Sequence, residues 1–301
     1  MGRAVCLCHS RASLTVKIAV TGASGFIGRH VLNALARYPD MLVVATSRSP
    51  APPEFLPAGF EYTSLDIAAA NDATYEKLGA PDVLIHLAWG GLPNYRSNHH
   101  FEIELPKQYG FIRAMVEGGL SSLVVSGTCY EYGMTSGCLR EDQLSEPTNA
   151  YAFAKMALYR QLLFLKSHRH FGLSWARLFY CYGDGQAPSS LLPLLQSAVE
   201  RGEKRFAMSG GEQLRDYLPV ETVAEHLVRL AILNADPGAV NICSGEAISI
   251  RRLVEEQRAL HGWDIEFDFG KYPYVDYEPM AFWGDAGKID LLREQIAQAG
   301  N

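Results

Sequence analysis

The sequence has no apolar run long enough to cross a bilayer. A spanning helix needs roughly 18–20 apolar residues, and even Ser190-Leu191-Leu192-Pro193-Leu194-Leu195 is short and interrupted by a proline. It has no basic excess either. Its 27 Lys and Arg against 33 Asp and Glu leave a formal net charge of −6, which argues against a nucleic-acid surface. The six cysteines, Cys6, Cys8, Cys129, Cys138, Cys181 and Cys243, form no C-x-x-C pair, so no metal site is expected. Cys181 and Cys243 sit in strand-like apolar runs and read as buried free thiols in a reducing cytosol. There is no internal repeat and no low-complexity tract. Residues 1–15 carry Arg3 and Arg11 but no apolar stretch of secretory length. They read as a disordered leader or an over-extended start, and the expected compartment is the cytoplasm.

What is present is an ordinary globular balance, 48% apolar and 20% charged in 301 residues. That length allows one large α/β domain or a dinucleotide-binding domain with a smaller lobe. Strand-like runs at Val16–Thr21, Leu42–Thr46, Phe60–Leu65, Val83–Ala88, Leu123–Ser126 and Leu173–Phe179 alternate with helical patterns. One helix should start after Thr148 or Asn149 as N-cap and run to about His168. Such alternation implies parallel strands joined by right-handed crossovers, a doubly wound sheet over residues 16–182. From 183 to 301 helical patterns dominate (Leu191–Arg201, Val220–Leu233, Ile250–His261), with short strands near Arg205–Met208 and Val240–Cys243. This part reads mainly as a smaller α+β substrate-binding lobe, with segments returning to the first domain.

Thr21-Gly22-Ala23-Ser24-Gly25-Phe26-Ile27-Gly28 falls where the first strand ends and a helix begins. Its glycines allow a tight turn and close backbone approach to a pyrophosphate, which the helix N-terminus then attracts. Gly22, Ser24, Gly25, Phe26, Ile27 and Gly28 are the expected contacts of a dinucleotide. The second strand ends in Thr46-Ser47-Arg48, without the carboxylate that would bond a ribose 2′-hydroxyl. Ser47 and Arg48 are placed for a 2′-phosphate instead, with Arg29 as a second candidate cation. The pattern favours NADP over NAD, although both arginines could simply be solvated.

Tyr151-Ala152-Phe153-Ala154-Lys155 puts a phenol and an ammonium on one face of a helix. A neighbouring Lys⁺, with the positive nicotinamide ring of an oxidised cofactor, favours phenolate and should bring the tyrosine from its ordinary value of about 10 toward the working range. The spacing alone also occurs by chance. Upstream, Val125-Ser126-Gly127-Thr128 ends a strand, and Thr128, with Ser126 as alternative, could hydrogen-bond a substrate oxygen.

Together these segments resemble the extended short-chain dehydrogenases/reductases, the NAD-dependent epimerase/dehydratase family, over about residues 16 to 290. The resemblance also rests on Asp66-Ile67, His86-Leu87-Ala88, Ser126–Gly133, Arg177–Gly183, Arg215-Asp216-Tyr217 with Val220, Asn241 to Gly245, and Asp285 through Lys288. It implies Asp66 and Ile67 by the adenine, Leu87 and Ala88 along the cofactor, and Lys155 on the nicotinamide ribose. Tyr151 and Ser126 would also touch the cofactor. Arg215 matches an arginine that contacts a nucleotide-sugar phosphate, against the plain alternative of an ion pair with Asp216. A homodimer through the Tyr151 helix is implied as well. The chain departs from the family pattern at Trp89-Gly90-Gly91, at Glu104 and at Tyr180, where a substrate-contacting Asn is frequent.

Sugar dehydratases of the family follow the Thr with Asp-Glu, whereas Cys129-Tyr130 stand here, so dehydration is not expected. Arg48 favours exchangeable NADPH and reduction of a nucleotide-diphosphate-linked 4-keto-6-deoxyhexose through Thr128, Tyr151 and Lys155. The alternatives are a nucleotide-sugar epimerase with tightly held NAD and, in another class, a non-catalytic NADP-binding sensor or scaffold.

Overall fold

The computed structural model describes residues 16–233 and 236–299. Seven parallel strands form its centre: β1 (Lys17–Thr21), β2 (Leu42–Ser47), β3 (Glu61–Ser64), β4 (Val83–His86), β5 (Ser122–Thr128), β6 (Gly172–Leu178) and β7 (Gly238–Ile242). Their order is β7-β6-β5-β4-β1-β2-β3, a Rossmann arrangement. The inner strands are buried on both faces, so they read as unbroken apolar runs such as Ile18-Ala19-Val20 and Leu123-Val124-Val125.

Helices cover both faces. On one, Val31, Leu32 and Leu35 of α1 (Phe26–Leu35) meet Val223 and Leu227 of α5 (Val220–Leu233). On the other, Phe111, Ile112 and Met115 of α2 (Leu105–Gly118) pack beside Leu158 and Leu162 of α3 (Ala150–Lys166). The strand order reverses at β1, between β4 and β2. Thr21 stands opposite Thr46 on one side and His86 on the other. Ligands of open α/β sheets bind beyond the carboxyl ends of strands at such a switch point.

Of the patterns expected downstream, α5 and the strand read at Val240–Cys243 belong to this large layer: β7 pairs in parallel with β6. The smaller lobe is built from α4 (Leu191–Glu200) and α6 (Ile250–His261), packed around Leu195, Met208, Val254 and Ile265. A parallel pair, Arg205–Ala207 with Glu266–Asp268, closes it. The final helix, α7 (Gly287–Ala299), lies against β7. Residues 1–15, with Cys6 and Cys8, lie outside the described residues. The other four cysteines are free; Cys129 and Cys243 are buried and Cys181 half-buried, but Cys138 is exposed. No described helix is long and apolar enough to cross a membrane.

Candidate active site

The glycine turn is sterically required. Gly22 has φ +69°, and a Cβ there would stand 2.8 Å from the Ala88 nitrogen. A Cβ on Gly28 would overlap the Gly22 carbonyl oxygen. Helix α1 begins at Gly25 with no side-chain cap and no acidic residue in its first turn, so its leading N–H groups stay available to an anion. Gly22, Ser24 and Gly25 line a groove whose wall continues through Thr46, Ser47 and Arg48 after β2. Asp66 and Ile67 after β3, and Leu87 and Ala88 after β4, complete it.

Within the groove the Thr46 hydroxyl is buried without a hydrogen-bond partner. An orphaned buried hydroxyl costs free energy unless something meets it. With the uncapped helix and the glycine turn, it fits a dinucleotide. Arg48 is exposed and forms no ion pair among the described residues. Arg29 is not brought to it: its guanidinium lies 3.6 Å from Asp184 and 4.8 Å from the Phe55 ring centroid. Phe26 and Ile27 also turn away from the groove and face the chamber on the other side of the turn.

Beneath the groove runs a buried polar chain. Thr21 Oγ1 lies 2.8 Å from His86 Nδ1, and His86 Nε2 lies 2.6 Å from Gln108 Oε1. Gln108 donates to Glu104 at 2.9 Å, and Glu104 also accepts from the Gly90 nitrogen at 3.1 Å and from Lys107. Burial pushes His86 down to about 3, so the imidazole is neutral; its Nε2–H donates to Gln108 and its Nδ1 accepts from Thr21. A π-helical turn at His100–Glu104, running into α2, places Glu104 there.

Asn149 caps α3 by accepting from the Ala152 nitrogen at 2.9 Å. The first turns of this helix set Tyr151 and Lys155 on one buried face, 8% and 2% exposed. Tyr151 is ringed by aromatics: His100 at 5.3 Å, Tyr95 at 5.6 Å and Trp89 at 5.8 Å between centroids. Burial, reinforced by Tyr95 and Glu131, pushes its hydroxyl above the ordinary value of 10. Lys155 by itself, without a nicotinamide cation, therefore does not bring it down. Lys155 Nζ instead donates to the Ser126 carbonyl at 2.7 Å, and the Tyr151 ring centroid is 5.8 Å away, so burial decides. Burial also brings Lys155 down to about 7, against the pull of Glu131 and Glu104.

Of the two candidate hydroxyls, Thr128 lines the chamber, while Ser126 Oγ turns toward the His86 carbonyl at 3.5 Å. Thr128 is fixed by a reciprocal cap. Its Oγ1 accepts from the Tyr130 nitrogen at 3.3 Å, and its own nitrogen donates to Glu131 Oε1 at 2.9 Å. Glu131, wholly buried, further accepts from Trp175 Nε1 at 3.0 Å and Arg177 Nε at 2.9 Å. Sequence reasoning missed this residue, although Thr128-x-x-Glu131 is a capping-box signature.

The chamber beside Tyr151 holds about 620 Å³, within the usual range for small-ligand pockets. Tyr95, Tyr130, Tyr151, Tyr180 and Tyr217 line it, and no charged side chain is among its lining residues. Arg215 is not a free cation there, nor is it paired with Asp216. It is 3% exposed and its Nη2 meets Glu278 at 2.7 Å. Glu278 also accepts from Tyr130 at 2.7 Å, whose hydroxyl lies 3.2 Å from that of Tyr180. Asp216 instead accepts from the nitrogens of Ser244 and Gly245, at 2.7 and 3.0 Å, a structural role.

Comparison with known proteins agrees with this geometry. Residues 18–243 match the model of the NAD dependent epimerase/dehydratase family. The chain is 29% identical over 271 residues to a dTDP-6-deoxy-L-talose 4-dehydrogenase (NAD(+)) of Aggregatibacter actinomycetemcomitans, covering 89% of this chain and 99% of that one. It is 26% identical to a UDP-glucose 4-epimerase of Corynebacterium glutamicum, covering 83% and 82% of the two chains. Among solved structures, MoeE5 in complex with UDP-glucose and NAD superposes with a TM-score of 0.76 at 29% identity, covering 91% of each chain.

Proposed function

The chain belongs to the NAD-dependent epimerase/dehydratase family, and from that premise we propose that it reduces the keto group of a nucleotide-diphosphate-linked 6-deoxyhexose with NADPH. The observation that carries this reading is the placement of Thr128 and Tyr151 together in the chamber wall, with Tyr151 against Trp89 of the neighbouring groove. The Tyr151 phenol, protonated at neutral pH, is the proton donor this geometry offers. When bound, the nicotinamide supplies the hydride. Thr128, at the chamber end of β5, holds the carbonyl oxygen by hydrogen bonding, and Tyr151 protonates the oxygen as negative charge develops on it. Lys155 supports both from the groove side, its ammonium favouring transient phenolate once the proton has left. The tyrosine-lined chamber offers faces on which a sugar or base can lie.

NADP is proposed because Arg48 is unpaired among the described residues at the groove mouth, and no carboxylate ends β2. The relative named for NAD(+) keeps NAD as the alternative. Epimerisation with tightly held NAD is the second reading, favoured by the relative named as a 4-epimerase. Purified protein mixed with NADPH or NADH and a nucleotide-linked 4-keto-6-deoxyhexose separates these. Consumption of NADPH with formation of the alcohol supports reduction. Substrate interconversion without net cofactor change supports epimerisation. No turnover on any nucleotide-linked sugar overturns the reading.

A further inference from the structure

Directly after the His86-Leu87-Ala88 turn stands a tryptophan whose indole covers the Lys155 ammonium. Lys155 Nζ lies 4.0 Å from the Trp89 ring centroid, inside the roughly 6 Å over which a cation is drawn to the negative face of an indole. The one hydrogen bond that Lys155 makes among the described residues goes to the Ser126 carbonyl. The indole is itself pinned. Trp89 Nε1 donates to His100 Nδ1 at 3.1 Å, and His100 Nε2 donates to the Asn94 carbonyl at 2.9 Å. Both rings abut Tyr151, and Trp89 also lines the cofactor groove.

The other groups facing Lys155 are Tyr151 on its own helix, Glu131 from the turn after β5, Glu104 from the π-helical turn, neutral His86 on β4 and His100. Neither carboxylate hydrogen-bonds it. Glu131 is committed to Arg177 and Trp175, and Glu104 to Lys107, Gln108 and Gly90. A buried lysine ordinarily sheds its proton unless an opposite charge faces it closely. Here an aromatic face occupies that place.

We propose that Trp89 is a positioning residue for Lys155, its indole face holding the ammonium protonated and fixed between Tyr151 and the cofactor groove where a contacting carboxylate would otherwise be needed. The inference rests on the reading of Lys155 as the partner of Tyr151, and the test is chosen to stand apart from turnover. In cofactor-free protein labelled with ¹³C at the lysine ε-carbon, the Lys155 resonance is assigned by its loss in Lys155→Arg and titrated with pH. Trp89→Leu keeps an apolar cover and removes the ring quadrupole, so the Lys155 midpoint should fall by about one pH unit. Trp89→Phe, with a weaker ring, should fall by roughly half as much, and it decides the matter if the leucine variant does not fold. The alkaline limit of NADPH binding should move down in parallel. An unchanged midpoint, or one that rises because the indole acts only as a desolvating cover, overturns the inference. Failure of the ketoreductase reading shows separately, as a Lys155 midpoint that responds to the Trp89 substitutions in a protein that reduces no nucleotide-linked keto sugar.

Discussion

Tyr151 stands between two regions built on opposite plans. The groove on one side presents Arg48, Asp66, Glu104 and Lys107 together with a glycine turn and an uncapped helix. The chamber on the other presents five tyrosines and no charged side chain among its lining residues. Arg215 lies behind its wall, 5.9 Å from the Tyr180 ring centroid, neutralised by a glutamate 63 residues away. On the proposed reading, affinity in the groove would be set by exposed backbone and formal charge, and affinity in the chamber by aromatic faces and by how readily one buried ion pair opens. A region of the first kind tolerates few changes of backbone. The second can be retuned from a distance.

The largest expected effect lies at the boundary. Tyr151→Phe should cut turnover by about 10²–10⁴-fold while NADPH binding, measured by fluorescence titration, stays intact. A variant with near-normal rate would end the assigned role. Next comes the support of the chamber wall. Glu131→Ala strands the Arg177 charge and the Thr128 and Trp175 donors, and should cost about 3–5 kcal/mol in denaturant unfolding. A loss within experimental error would mean that Thr128 is held by something else.

On the groove side, Arg48→Asp should shift the NADPH-to-NADH ratio of kcat/KM by about 10–100-fold toward NADH, the scale of one charge-assisted contact. No shift would make Arg48 a bystander and restore NAD as the natural partner. The smallest effect concerns the chamber's hidden pair. Glu278→Gln relieves Arg215 of its carboxylate and should tighten binding of a free nucleoside diphosphate by about tenfold in calorimetry. Equal affinity in both proteins would show that the pair opens without measurable cost, and the contrast between the two regions would weaken.

How legible each region was in the sequence follows from the same contrast. The groove is written locally: glycines three residues apart, and strand tips followed by Arg48 and by Leu87-Ala88, are short-range patterns, as is the helix start after Asn149 beside it. The chamber depends on meetings between distant segments. Nothing near Arg215 announces Glu278, and nothing near Tyr151 announces Tyr95 or His100, which surround its ring from a loop and a π-helical turn. The weight of burial on Tyr151 is hidden from the sequence for that reason. Spacing on a helix shows that Lys155 shares a face with Tyr151, but not that the lysine turns to Ser126 and Trp89. Arg215 is a similar case: Asp216, its neighbour in the chain and the plain alternative to a phosphate contact, is a loop anchor, while Glu278 pairs with Arg215. Glu131 was within reach of local reasoning, because its capping-box spacing from Thr128 is complete in the sequence.

The anchoring of Thr128 has a bearing on the order in which the chain is made. Thr128, Tyr151 and Lys155 are all synthesised before Trp175 and Arg177, the two residues that grip Glu131 from β6. Until β6 docks against β5, the carboxylate that fixes the Thr128 amide has neither partner and is free to swing. On the proposed roles, a chain still emerging, or one truncated before residue 172, would carry Thr128, Tyr151 and Lys155 without Trp175 and Arg177 to brace them.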